Sequence, residues 1–430
     1  MFVTRRQFMK QAAGSVTVGL LAPRLLAGEA HASDLPASGG RRILVVIQLE
    51  GGNDGLNTIV PYTDAQYYKV RPTLAFKDSE LVDTAGASTI ISDQFGLHPS
   101  MGPIKSLYDQ GHVAIVNGVG YPNPSLSHFL SMDIWHTANL GGLGSEGWLG
   151  KYADSALAGV AGLPAASVGG LLPKTFFSQK VVIPSIITFQ LYDFLTDPAY
   201  PGDSANQLAT FEKDAGAGST SPTLASAVDA TALSAVEGAI NVKTRVAGYS
   251  SPVQYPANNP LATELKMLAQ ILTTMTESAL VYCTLGSFDH HADQIAHANG
   301  KPDKLSGQHA MLLGWFSDAV RAFYDDMTAH GLADNTLIMQ WSEFGRRVNE
   351  NTSFGTDHGT AAPLFVVGNP VKGGIIGNQP SIDAIDLDTA GNMKFAVDFR
   401  SVYSTILDRW LDVDSASVLG DRFEDVGFLA

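Results

Sequence analysis

The chain has a single cysteine, Cys283, among its 430 residues, which excludes an intrachain disulfide and a thiolate zinc cluster. Charge is also sparse, at 16% of residues. The basic side is the poorer, with 27 Lys and Arg against 42 Asp and Glu, a formal −15. Such a field argues against nucleic acid, or an anionic lipid surface, as the main partner. There is no GxSxG elbow, Walker loop or HExxH pair. Gly142–Gly147 formally matches GxGxxG, but it follows a helical pattern instead of a strand and reads as a turn. What the chain does have is apolar residues, 45% of the total, enough for a sizeable core. That sets aside a disordered polymer and a stapled miniprotein. Length alone suggests two or three domains, although α/β folds of this size often form one.

The N-terminus reads as an address. Thr4-Arg5-Arg6-Gln7-Phe8-Met9-Lys10 opens a weakly apolar run from Ala12 to Leu26, and Ala30-His31-Ala32 offers small residues at the spacing a signal peptidase reads. The run is short and is interrupted by Arg24, so no permanent membrane span is expected. Residues 1–32 resemble a twin-arginine export signal, which implies the twin-arginine machinery as a partner, export in the folded state and a periplasmic or secreted destination. Cleavage there removes Arg5, Arg6, Lys10, Arg24 and Glu29. It leaves 23 basic against 41 acidic residues, a formal −18.

The body alternates strands and helices. Ile43–Ile47, His112–Val119, Ala279–Leu285, Thr336–Trp341 and Pro363–Val367 are apolar runs that read as buried strands. Helical patterns cover Leu126–His136, Ala262–Ser278, Gly307–His330 and Asp398–Asp412. This alternation predicts an α/β fold, a mostly parallel central sheet with helices on both faces. Between Pro201 and Ala235 the composition turns to Ala, Ser, Thr and Gly, which we read as a cap-like insertion, around 190–260, in a single domain spanning 33–430. In such sheets, active sites gather beyond the carboxyl ends of the strands.

Those ends carry carboxylates and histidines. Glu50-Gly51-Gly52-Asn53-Asp54 follows the first strand, Asp289-His290-His291 the third and Ser342-Glu343-Phe344-Gly345-Arg346 the fourth, while Asp357-His358 precedes the fifth. Mixed carboxylate and imidazole ligands suit zinc, manganese or iron better than calcium. After the second strand, Pro122-Asn123-Pro124-Ser125-Leu126-Ser127-His128 places Ser125 or Ser127 near the first turn of a helix, whose positive end favours an anion. His128, beside them, has the chemistry of an acid or base that hydrogen-bonds a substrate oxygen. His98, His112, His136, His297, His309 and His330 lack a carboxylate at ligand spacing and read as surface or supporting groups.

Taken together, GGNDGLNTIVPY (Gly51–Tyr62), GLHPSM (Gly96–Met101), SHF (Ser127–Phe129), GWLG (Gly147–Gly150), SFDHHADQ (Ser287–Gln294), SEFGRRVNEN (Ser342–Asn351), GTDHG (Gly355–Gly359) and DFRSVYSTILDRWL (Asp398–Leu411) resemble the exported bacterial family known as domain of unknown function 1501. That family is grouped with the alkaline phosphatase/sulfatase superfamily. The resemblance implies an alkaline-phosphatase-like fold in which metals flank an attacking Ser or Thr. It maps the metal ligands onto Asp54 (Glu50 as the lesser choice), Asp289, His291 (His290 competing), Glu343 and His358. The nucleophile falls on Ser127, with Ser125 behind it. The usual Asp-His pair meets Glu343-Phe344 here, which leaves one site without its histidine, and Arg346 could supply positive charge there.

Cys283 sits in Tyr282-Cys283-Thr284, and neither Ser125 nor Ser127 is followed by the Pro/Ala and Arg of the C/S-x-P/A-x-R run of the sulfatases, so formylglycine chemistry is disfavoured. The expectation is an exported hydrolase of phosphate or sulfate esters. It would act on an anionic ester through Ser127, with His128 and Arg346 assisting and one or two divalent ions, zinc or manganese, bound. The alternative is a non-catalytic, metal-stabilised exported protein that binds a polymer or a protein partner.

Overall fold

The computed structural model describes residues 41–142, 144–190, 196–197, 199–216, 236, 238–298 and 301–430. Residues 1–32, read as an export signal, and 217–235, the centre of the Ala/Ser-rich stretch, lie outside them.

The run ILVVIQL forms β1 (Ile43–Leu49), buried along its whole length. Ile43, Val45, Ile47 and Leu49 face one apolar core, and Leu44 and Val46 face another. A strand apolar on both sides must be covered on both sides. The other strands of the main sheet are β2 (Val113–Gly120), β3 (Ala165–Val168), β4 (Ser185–Ile186), β5 (Leu280–Leu285), β6 (Thr336–Trp341), β7 (Ala362–Val367), β8 (Gly374–Ile376) and β9 (Val397–Asp398). They run in the order β8-β2-β7-β6-β1-β5-β3-β4, with β9 also pairing β2. β1 pairs in parallel with β6 and β5.

Helices cover both faces. α1 (Gly102–Asp109), α4 (Pro260–Thr274) and α5 (Gln308–Ala329) contribute to the first core. α2 (His128–Thr137), α3 (Trp148–Ala156) and α6 (Phe399–Thr405) contribute to the second. The expected class, an α/β fold with a mostly parallel sheet and helices on both faces, is the one observed.

β7 departs from the parallel pattern, because it is antiparallel to both β6 and β2. This has a consequence for chemistry. An antiparallel neighbour begins at the sheet edge where its predecessor ends, so the 342–361 connection leaves and re-enters at one edge. The carboxyl ends of β1, β2, β5 and β6 therefore meet the amino end of β7.

Element ends follow their caps. α4 starts at Pro260, a residue with no N–H to lose at the first helical position, and the Asn259 side chain accepts from the Ala262 N–H. The fourth helical pattern splits into α6 and a π-helical turn, Ile406–Trp410. Within the expected insertion, Ser204–Gly216 is helical, and Ala239, Val242 and Val246 join the first core. Arg245 pairs with Glu277 at 2.5 Å, tying that segment to the body. Among the described residues, no helix is long and apolar enough to cross a membrane.

Candidate metal centre

The loops at this edge are locked together by backbone contacts. Gly51 has φ +120°, and a Cβ there would lie 2.5 Å from the Asp289 amide nitrogen, so only glycine lets the loop after β1 approach the loop after β5. The Gly51 N–H donates to Glu343 Oε1 at 2.8 Å. Arg346, 1% exposed, fills the space between the loops. Its guanidinium donates to the carbonyl oxygens of Gly51, Gly52, Phe288 and Thr356, and to Asp289 Oδ1 at 2.6 Å. Arg346, expected to supply positive charge at the second site, thus has its guanidinium engaged in holding these loops and Asp289.

Against this frame stand His128, Asp289 and His358, each offering a ligand atom within 4.8 Å of the others. The protons on their rings can be assigned from their partners. His358 Nδ1 lies 2.8 Å from the Leu126 carbonyl oxygen, which can only accept, so Nδ1 carries the hydrogen. His358 Nε2 then faces Asp289 Oδ1 at 3.0 Å. His128 Nδ1 lies 2.7 Å from Glu343 Oε1 and is likewise the protonated nitrogen. His128 Nε2 is buried without a hydrogen-bond partner and points at Asp289 Oδ2, 3.5 Å away.

Two imidazole lone pairs thus converge on one carboxylate, an arrangement that demands a cation or a proton between them. Metal–ligand bonds of ~2.0–2.1 Å at tetrahedral angles separate neighbouring ligand atoms by ~3.3 Å, close to the 3.0 and 3.5 Å from the two imidazoles to the two oxygens of Asp289. The contact from Glu343 to the far nitrogen of His128 is the carboxylate–imidazole pairing that orients metal-bound histidines.

The electrostatics follow the same partners. Burial opposes ionisation of Asp289, but the hydrogen bond and positive charge of Arg346 lead the contacts that hold its carboxyl down to about 2. The hydrogen bond to Glu343 raises the His128 pKa above its ordinary value. Burial lowers that of His358.

Glu343, fully buried, contacts His128 and the Gly51 amide, and its own carbonyl accepts from Ser131 Oγ at 2.5 Å. His291 Nδ1 lies 2.9 Å from Asp289 Oδ1 on the solvent side, with its side chain 47% exposed. Asp54 lies apart from the cluster. It is buried in an ion pair with Arg71 at 2.5 Å and accepts from Gln294 at 2.6 Å. Burial opposes ionisation here too, yet Arg71 brings the Asp54 pKa below the usual carboxylate value.

Phe344, 2% exposed, packs its ring 4.9 Å from that of His128 and 4.7 Å from that of His358. It forms an apolar wall where the resemblance would place a histidine. Ser127 is the N-cap residue of α2, exposed, and its side chain makes no capping hydrogen bond. Ser125 Oγ accepts from the Ser127 amide at 3.2 Å. His290 is buried, which depresses its pKa to about 4. Glu50 keeps part of its surface in solvent, and partial desolvation of its carboxyl followed by repulsion from Glu343 raises its pKa.

Of the histidines read as surface or supporting groups, His98, His136 and His309 are buried. His309 Nε2 meets Asn53 Oδ1 at 3.0 Å. Arg71, the partner of Asp54, carried no signal beyond its charge.

The fold and the cluster define a class: an α/β protein with a candidate mononuclear cation site where strand ends meet. Residues 214–422, a little under half of the chain, match the family described as "Protein of unknown function (DUF1501)". This agrees with the family resemblance carried by the motifs. No curated protein matches the chain.

Similar solved structures include a protein in the alkaline phosphatase superfamily from Vibrio parahaemolyticus, at 10% identity and a TM-score of 0.35, covering 80% of this chain and 63% of that one. The chain thus spans less than two thirds of that protein's length. The lipoteichoic acid synthase LtaP from Listeria monocytogenes is similar at 11% identity and TM-score 0.37, covering 83% and 75%. The PsFucS1 sulfatase from Pseudoalteromonas sp. is similar at 14% identity and TM-score 0.38, covering 99% and 76%.

Proposed function

We propose that this protein is an exported, metal-dependent hydrolase of phosphate or sulfate esters. The single observation that carries the reading is the convergence of His128 Nε2 and His358 Nε2 on Asp289, with the outer ring nitrogens fixed by Glu343 and the Leu126 carbonyl. His128, Asp289 and His358 would hold one divalent ion. Imidazole and carboxylate donors suit zinc or manganese better than calcium. Expected ligands His291 and Glu343 border that set, and Asp54 lies outside it.

When bound, such an ion supplies charge that lowers the pKa of a nearby hydroxyl and neutralises ester oxygens. Ser127 is the nucleophile in this reading, because it precedes His128 directly and its hydroxyl is not tied up as a cap. Its Oγ passes its proton to solvent water as it bonds to phosphorus or sulfur, and the leaving oxygen departs with the bonding pair and takes up a proton from solvent. Water then cleaves the seryl ester and restores the hydroxyl. Arg346 keeps Asp289 ionised and in place. The Arg5-Arg6 motif supports export through the twin-arginine route, which exchange of both arginines for lysine followed by cell fractionation tests directly.

Chromogenic phosphate monoesters, diesters and sulfates assayed with zinc and manganese test the activity. Ser127→Ala should abolish turnover while metal stays bound, and retained turnover would move the nucleophile to Ser125. The second reading, a metal-stabilised binding protein, is favoured by the apolar Phe344 wall beside the cluster. Metal retained with no turnover on any ester would select it.

A further inference from the structure

Pro122-Asn123-Pro124-Ser125-Leu126-Ser127 joins β2 to α2 and carries both candidate serines. Its two prolines have no N–H to donate. Among the described residues, no backbone–backbone hydrogen bond holds residues 122–126. Side chains anchor the turn instead. Tyr121, the residue after β2, is 2% exposed, and its Oη accepts from the Ser125 amide at 3.0 Å. His358 Nδ1 donates to the Leu126 carbonyl oxygen at 2.8 Å.

The hydrogens around Tyr121 are fixed by their partners. Ser131 Oγ donates to the Glu343 carbonyl oxygen, which can only accept. That hydroxyl hydrogen is thus spent, so at 2.7 Å from Tyr121 Oη the serine oxygen must accept. Burial raises the Tyr121 pKa, and the phenol keeps a proton to donate. The Ser125 carbonyl, 3.4 Å from Oη, is a more distant acceptor. One chain therefore runs from the Ser125 N–H through Tyr121 and Ser131 to Glu343, and each hydroxyl in it accepts once and donates once. Hydroxyls in such a series strengthen one another. The chain ties the turn after β2 to the residue that orients His128.

We propose that Tyr121 is a positioning residue for ester hydrolysis, whose hydroxyl holds the Ser125–Ser127 turn in a fixed place relative to His128 and His358. The inference rests on the proposed function and deepens it. A neutral hydrogen bond contributes up to about tenfold in an equilibrium, and a small displacement of a reacting group costs at least as much in rate, so a loss of about tenfold is expected.

Tyr121→Phe removes only the hydroxyl. Its ring, with its centroid 5.8 Å from that of Phe399, should still pack edge-on there and keep the fold, which thermal unfolding checks. With zinc saturating, kcat on the chromogenic ester that wild type cleaves should fall about tenfold while KM stays within about twofold, because the groups that hold the ion are unchanged. Ser131→Ala cuts the chain one link further on and should lower kcat in the same way. The double variant should be no more than about twofold slower than Tyr121→Phe, because both changes break one chain. Amide hydrogen exchange at Ser125 should quicken about tenfold in Tyr121→Phe.

Wild-type kcat in Tyr121→Phe, or losses that multiply in the double variant, overturns the inference and leaves the hydrolase reading standing. A fall in kcat that comes with lost zinc would make Tyr121 a support of the metal centre and also overturn the inference alone. If Tyr121→Phe does not fold, Ser131→Ala decides, and wild-type kcat there overturns the inference. Absence of turnover by zinc-loaded wild type on every ester overturns the hydrolase reading and the inference with it.

Discussion

Replacing Glu343 with Gln tests the role of the buried carboxylate behind His128. Glu343 Oε1 accepts two hydrogen bonds, from His128 Nδ1 at 2.7 Å and from the Gly51 amide at 2.8 Å. A glutamine oxygen can accept both, so the fold should survive, but the negative charge that steadies a ligating imidazole is gone. Hydrogen bonds to charged groups contribute ~1.5–3 kcal/mol and neutral ones ~0.5–1.5 kcal/mol, so the change removes roughly 1–1.5 kcal/mol from metal binding. That is about tenfold in affinity, the lower end of the 10–100-fold loss usual when such an outer partner is removed.

The assay is competition for zinc with a chromogenic chelator at pH 8. There a proton competes little for His128, whose pKa is raised by Glu343. Glu343→Ala is the control, because it leaves the buried Gly51 N–H without an acceptor and should lose a further ~1–3 kcal/mol of stability. Wild-type affinity in Glu343→Gln, with Glu343→Ala merely destabilised, would refute the argument and leave Glu343 a purely structural residue.

Asp289→Asn should eliminate metal binding, because it removes the charge on which both imidazoles converge; equilibrium dialysis with zinc checks this. Arg71→Met should cost about 3–5 kcal/mol in urea unfolding at pH 7, because it leaves the Asp54 carboxylate buried and unpaired. The pH dependence should invert as well. In wild type the Asp54–Arg71 pair stabilises above the ordinary carboxylate pKa of ~3.9, and that stability is lost as pH falls through the lower folded value. In Arg71→Met, acidification should restore part of the loss, since the buried carboxyl can take up a proton. Gly51→Ala, at φ +120° against the Asp289 amide, should destabilise the protein by roughly 1–3 kcal/mol and weaken zinc binding in the same chelator assay. Cys283, fully buried in β5, should resist an aromatic disulfide reagent until the chain unfolds.

Much of the fold was legible because its strands are apolar on both faces. ILVVI at Ile43–Ile47 and TLIMQW at Thr336–Trp341 read as buried strands from hydrophobicity alone, since each must fill two cores, and the first strand runs on to Leu49. The direction of Ala362–Val367 was not legible. Its run looks the same whichever way it points, and only its pairing partners show it to be antiparallel. The short strands Ala165–Val168 and Ser185–Ile186 escaped for a different reason. Four and two residues make too brief a pattern, and pairing alone defines them.

The candidate site was legible in its residue types more than in their relations. Asp289 and His358 stood out because a carboxylate and an imidazole fell at strand ends, and the structure brings them within hydrogen-bond distance. The sequence suggests His128 as a helper of the nucleophile and Glu343 as a ligand. The geometry sets them in the opposite order, with His128 Nε2 turned towards Asp289 and Glu343 behind it on Nδ1. Nothing local distinguishes the two orders. A carboxylate at the end of β6 and an imidazole at the start of α2 have the same chemistry either way. The choice is made by the docking of Ser131 on the Glu343 carbonyl, between residues 212 positions apart. Asp54 shows the converse. It has the position expected of a ligand, and Arg71, from the segment after the next helix, pairs with its Oδ2 at 2.5 Å. A strand-end carboxylate reads the same in the sequence whether or not a guanidinium meets it, because that partner is set by tertiary approach.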